Sequence, residues 1–294
     1  MMSMGGVWNA AVRGVLAVAA LVTVSCEAGT LSVTAWEDGA EGSLREVIDR
    51  ANRSADPTIR IEVMISHVEL TLCGKDDTNA GGDLDITTSK PITLVGRWGL
   101  VHIRQTCPGE RILEHHGSAQ LTIGNAYLHG GSLVGDDPSQ PAQGGGLRSA
   151  GDVALEGVYI VKNSVRGAAA TTDSAAAGGA QGGGVYVAGA LHANNARIEE
   201  NTAEGGAGTA FRNDGGFAEG GGVYAGGAIT LTHSFLDRNR ALGRSGSTAE
   251  ADAAPTPGSK GGTARGGGIA QSSSSTGSVT LVDVRVTANS AEGG

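Results

Sequence analysis

Aromatic side chains are scarce in this chain: Phe, Trp and Tyr make up 3% of its 294 residues. A core built from it must be thin and aliphatic rather than filled by large rings. Long hydrophobic runs are missing too, and none approaches the ~20 residues that a membrane-spanning helix needs. Positive charge is not in excess, since 21 Lys and Arg face 30 Asp and Glu for a formal net charge of −9. With no dense basic patch, nucleic acid is excluded as a partner. Cysteine is limited to three residues, without the paired CxxC spacing of a structural zinc site. Glycine, by contrast, is abundant. Fifty residues are Gly, more than twice the roughly 7% of ordinary proteins and without the strict Gly-X-Y period of collagen.

Residues 1–25 read as an export signal, with Arg13 before the apolar stretch Val15–Val24 and the small Ser25 after it. Val22-Thr23-Val24-Ser25-Cys26 also resembles the bacterial lipobox, which makes Cys26 a lipidation candidate beside the alternative of simple cleavage nearby. A lipid would anchor the chain at a membrane rather than send it across. The expected location is the cell surface, the outer membrane or the extracellular space. In such an oxidising compartment Cys73 and Cys107 are candidates for a disulfide, which would contribute about 3–4 kcal/mol by closing the loop between them.

A repeat organises the second half. Gly-Gly-Gly recurs at 144–146, 182–184, 220–222 and 266–268, at intervals of 38, 38 and 46 residues. Apolar positions inside each unit follow the two-residue period of strands, as in Val153-x-Leu155 and Val158-x-Ile160, or Ile229-x-Leu231 and Ser234-x-Leu236. Short strands in units of fixed length predict a right-handed parallel β-helix, with coils roughly 4.8 Å apart. Asn163, Asn201, Asn239 and Asn289 form one column, with Gly131 at the same place in the preceding unit. Asn and Gly tolerate φ > 0 best, so this column is expected to turn the corners and to stack its amides along the axis. The segments between each asparagine and the next triplet are Gly, Ala, Ser and Thr without apolar period, and are expected to emerge from one side as mobile loops.

An open solenoid end needs a cover. Ser43 and Glu46 have capping-box spacing, and Leu44, Val47, Ile48 and Ala51 make an apolar stripe, predicting a short helix over the first coil. Ile59–Val63, Val68–Leu72, Leu84–Ile86 and Ile92–Val95 read as the first strands. The chain thus divides into the signal (1–25), an N-terminal cap with the first coils (26–110) and the Gly-rich repeats (111–294). No second cap follows Asn289, so either more chain or a partner is expected over that end.

Gly42-Ser43-Leu44-Arg45-Glu46-Val47-Ile48, followed by Ala51-Asn52, resembles the signature of CSLREA-domain proteins, with Gly42 in place of the cysteine. The Gly-Gly-Gly-Val and x-x-x-Asn elements are similar to repeats of polymorphic outer-membrane proteins. These resemblances imply an exported, surface-exposed, adhesin-like β-helix. Its partner would be a glycan or another cell-surface protein, and its contact with membrane would run only through a lipid anchor or further chain.

Candidate chemistry is thin. No cofactor and no catalytic residue is expected. Asp76, Asp77, Asp83 and Asp85, with Asn79, are calcium candidates on ligand type; their spacing fits no EF-hand, and Gly81-Gly82 make a turn a sufficient explanation. His115-His116 lack a third metal ligand at a fixed spacing. Tyr127, Tyr159 and Phe235 share a column, interrupted by Arg197, that suits either sugar stacking or lateral packing under the loops. A carbohydrate-active enzyme is the alternative function, but the outward columns of the repeats show no recurring carboxylate cluster, and a fold by itself does not confer an activity.

Overall fold

The computed structural model describes residues 29–171, 176–208, 214–246 and 259–294. The signal segment and Cys26 lie outside the described residues. Three parallel sheets, of eight, seven and six strands, wrap around one aliphatic core to give a parallel β-helix. Like stacks on like. In the eight-stranded sheet Ile59, Ile92, Leu121, Val153, Leu191, Ile229 and Val279 lie in one register column. No helix among the described residues is long and apolar enough to cross a membrane.

Three corners per coil carry residues in the left-handed region. One is the first glycine of each triplet, with φ of +67°, +68°, +67° and +58° at Gly144, Gly182, Gly220 and Gly266. A second includes Asn125, Asn195, His233 and Asp283. The third is filled by Gly130, Lys162, Glu200, Arg238 and Ala288, one residue before the asparagine column. The expectation that Gly131, Asn163, Asn201, Asn239 and Asn289 themselves turn the corner is therefore corrected. The asparagines are inward-facing amides in a ladder. Nδ2 of Asn163 donates to Oδ1 of Asn201 at 3.1 Å, Asn201 to Asn239 at 3.0 Å, and Asn239 to Asn289 at 2.9 Å. Each Oδ1 also accepts the backbone N–H of the preceding rung, from Gly131 to Asn239. Each Nδ2 spends its remaining proton on a carbonyl of the main coil. Gly131 is glycine for another reason: a Cβ there would collide with the carbonyl oxygen of Gly145.

The expected mobile loops are, over most of their described length, ordered. After each asparagine the chain runs outward through a short strand, as in Ser164–Arg166, and returns through another, as in Ala180–Gln181. These stack into a five-stranded and a four-stranded sheet around a second small core of Val165, Ala180, Ala203, Ala218 and Ala241. Farther out, the two arms interleave in a single file of backbone hydrogen bonds. Gly178 donates to Ala168, Gly206 to Gly178, Gly216 to Gly206, Arg244 to Gly216, Gly262 to Arg244 and Gly294 to Gly262, at 2.8–3.1 Å. A Cβ on Gly206 or Gly216 would strike a backbone carbonyl. The glycine content thus serves close backbone packing, which a polarity pattern does not reveal.

At the N-terminal end the helix Leu44–Arg53 buries Leu44, Val47, Ile48 and Ala51 against the first coils. The Ser43 hydroxyl accepts from Glu46 N–H at 3.2 Å, while the Glu46 carboxylate reaches back to Gly42 N–H, one residue beyond the expected cap amide. A strand not read from the sequence, Gly29–Val33, pairs with Ile59–Val63. The strand expected over 68–72 spans His67–Leu70, because Asp38 Oδ2 takes the N–H groups of Thr71 and Leu72.

Candidate functional site

The outward column of the six-stranded sheet runs Asp85, Glu114, Arg148, Tyr186, Tyr224. Strand alternation turns these side chains away from the core while Leu84, Leu113, Leu147 and Val185 fill it. Its two tyrosines stack with centroids 5.4 Å apart. At its charged end lies an open cleft of about 600 Å³, walled on one side by Asp83, Glu110, Arg111 and Glu114 and on the other by the lateral segment 133–143.

Several locks position this cleft. The buried Arg45 guanidinium pairs with Asp38 at 2.8 Å and donates to the carbonyls of Gly81, Gly82 and Asp83, which fixes the turn that carries Asp83. A Cys73–Cys107 disulfide, with Cα atoms 5.3 Å apart, ties the segment before that turn to the segment before Glu110 and Arg111. Asn52 donates to Asp85 O and accepts from Thr87 N–H, so the helix also pins the first rung.

The four calcium candidates do different things. Asp76 closes a turn by accepting from Thr78, Ala80 and Gly81; burial alone would raise its carboxyl, but these bonds together hold it below the usual range. Asp83 lies against Arg111 at 3.6 Å. Burial pushes its carboxyl up to about 7 against that guanidinium, with Asp85 and Glu110 adding to the rise. Burial likewise raises Asp85 and Glu110 and lowers Arg111. Only Asp77 and Asp85 come together, and the ligands that join them are Glu114 and His116: one atom from each of the four lies within 4.8 Å of the others. His116 Nε2 sits 2.9 Å from Asp85 Oδ1, while Arg111 and Arg148 both pair with Glu114. His115, one residue away, faces the core and meets Ser149 Oγ at 2.8 Å.

A carboxylate cluster does therefore exist, although it lies in the first coils rather than in the repeats. Glu110, Arg111, Glu114 and Arg148 were missed by sequence reasoning. For Glu114 and Arg148 a signal was present in the parallel triads Leu84-Asp85-Ile86, Leu113-Glu114-His115 and Leu147-Arg148-Ser149, which place the middle residues on one outward column.

Of the two readings of the aromatic column, the contacts favour packing. Tyr127 stacks on His102 at 4.9 Å and on Tyr159 at 6.0 Å, and the Arg197 guanidinium lies over both Tyr159 and Phe235. Arg197 bridges the column instead of interrupting it. The rings spend their faces on one another along the axis, so the faces of Tyr127 and Tyr159 are not presented to a ligand. Comparison with family models, with curated proteins and with solved structures returns no match.

Proposed function

We propose that this chain is an exported, surface-located β-helix protein that acts as a binding module, with the charged cleft as its ligand site. The observation that carries this reading is the cleft itself: carboxylates and guanidinium groups of both signs converge on one open concavity and are held there by strand rungs, a buried Arg45 and a disulfide. Such a set can accept hydrogen bonds from sugar hydroxyls at Glu110 and donate them from Arg148, which suits a polar glycan or a glycan-bearing surface protein. A disulfide and an export-type N-terminus agree with residence outside the cytoplasm. The structural duties of Ser43, Arg45, Glu46 and Asn52 in the cap support the resemblance to CSLREA-domain proteins.

The test is retention on an array of bacterial and host glycans. The wild-type chain should be retained on a subset, and Glu110→Gln and Arg148→Ala should each lose that retention. Retention unchanged in both variants, or none by the wild type, overturns the reading. One observation favours the alternative, a carbohydrate-active enzyme: a cleft carboxyl at Asp83 held near 7 keeps a proton available at neutral pH beside further carboxylates. Release of oligosaccharide ends from a polysaccharide panel, abolished by Asp83→Asn, would establish that alternative.

A further inference from the structure

We propose that Asp77, Asp85, Glu114 and His116 form a binding site for one divalent transition-metal ion, of which Zn²⁺ is the best fit. Asp77 comes from the turn after Cys73, Asp85 and Glu114 from two successive rungs of the six-stranded sheet, and His116 from the residue that follows the second rung, and one ligand atom from each falls within 4.8 Å of the rest. The set is not merely acidic. An imidazole nitrogen with carboxylate oxygens is a donor combination for Zn²⁺, whereas Ca²⁺ takes six to eight oxygens and does not seek a nitrogen.

Charge placement supports a cation here. Asp85 has no solvent exposure, and among the described residues neither it nor Asp77 has a Lys or Arg ion-pair partner; the two guanidinium groups of the cluster both go to Glu114. The partners of the Asp85 carboxylate are Asn79 N–H and His116 Nε2. A buried carboxylate whose one ionisable cationic partner is an imidazole is costly while that imidazole is neutral, and a bound dication would remove that cost. Access runs through the exposed Asp77, which lies on the wall of the open cleft. Asp85 and Glu114 sit on strands, and the surroundings of Asp85 are hydrogen-bonded: Asn79 holds both its Oδ2 and its backbone N–H. Such supporting contacts are what a metal site requires to keep its geometry.

The proposal does not depend on a glycan, so its failure and that of the binding-module reading are separate results. The chain is stripped with EDTA, dialysed, and titrated with Zn²⁺, Mn²⁺ and Ca²⁺ in turn, with bound metal counted by equilibrium dialysis and elemental analysis. The expected result is one equivalent of Zn²⁺ per chain, weaker Mn²⁺, little Ca²⁺, a raised melting temperature with Zn²⁺, and affinity that falls as pH is lowered because the ligands must be deprotonated. His116→Ala and the exposed Asp77→Asn should each weaken Zn²⁺ at least ~10-fold, while His233→Ala, at a distant exposed histidine, leaves it unchanged. Asp77→Asn guards against a folding defect, which circular dichroism would reveal in the His116 variant. Sub-stoichiometric Zn²⁺, or an affinity that neither variant alters, overturns the site.

Discussion

The N-terminal coils and the C-terminal repeats share one core and one strand spacing, yet they are held by different means. The repeats rely on backbone and amides. The asparagine ladder, the glycine file of the lateral arms and the left-handed corners recur from coil to coil. The first coils rely on individual side chains, namely Arg45, Asp38, Asn52, Asn79 and the Cys73–Cys107 bridge, none of which repeats. Periodic bonding leaves little surface chemistry in any one place. Where the period breaks, turns fold over the sheet, carboxylates are buried, and a cleft with perturbed titration appears. Among the described residues the buried charged side chains sit where the solenoid is least regular.

The comparison is tested hardest at Arg45. Its guanidinium spends its donors on Asp38 and on three carbonyls while nearly fully buried. Arg45→Ala removes the cationic partner of the buried Asp38 carboxylate and a donor to each of those carbonyls, and should cost about 3–5 kcal/mol. Urea unfolding at neutral pH reads this as a large drop in midpoint. Arg45→Lys should recover little, because an ammonium cannot reproduce the fork. If Arg45→Ala unfolds near the wild-type midpoint, the side-chain-locked account of the first coils fails.

Asn201, in mid-ladder, provides the matching test for the repeats. Asn201→Ala removes an acceptor used by Asn163 N–H and Nδ2 and a donor used by Asn239 Oδ1, all buried. A loss of about 2–3 kcal/mol is expected in the same assay. Asn289→Ala, at the end of the ladder, breaks bonds on one side only and should cost roughly half as much. Equal costs at the two positions would mean that the rungs act independently and that the ladder is not a connected chain.

Much of the architecture was legible in the sequence because stacked coils must repeat their inward residues: Leu147, Val185 and Val223 announce one column. The corner was misplaced by one residue, since lysine, glutamate and arginine occupy the left-handed positions at 162, 200 and 238, where composition suggests no turn. The lateral arms were read as spacer because backbone-to-backbone packing selects glycine, and glycine is also what flexible chain contains. The candidate site was half visible. Asp77 and Asp85 stood out as a local cluster, but Glu114, His116 and Arg148 reach them only through register between coils about 30 residues apart in sequence. The pairing that sets this register is a property of the fold rather than of local spacing.

The smallest expected effect, in pH, sharpens the contrast in titration. Burial, with a contribution from His116, lowers the His115 pKa from 6.5 to about 4. The unfolded chain takes up this proton as pH falls below 6.5, whereas the folded chain stays neutral, so stability is full above that point and is lost progressively down to about 4. Asp83 works in the opposite sense. Its pKa is raised from 3.8 to about 7, so the folded chain keeps a proton that the unfolded chain releases, and stability declines as pH rises through that window. Over the window they share, about pH 4 to 6.5, the two slopes are equal and opposite, so the pair together predicts a melting temperature that changes little with pH. His115→Gln should unmask the Asp83 slope, a melting temperature that falls as pH rises from about 4 to 7, and Asp83→Asn the His115 slope, one that rises from about pH 4 to 6.5. Both groups belong to the first coils, so in these two variants a fragment-resolved readout such as hydrogen exchange should place the pH response in those coils and leave the asparagine ladder silent. A response spread evenly over the ladder would mean that the two regions unfold as one cooperative unit, and that their different means of attachment do not divide the molecule energetically.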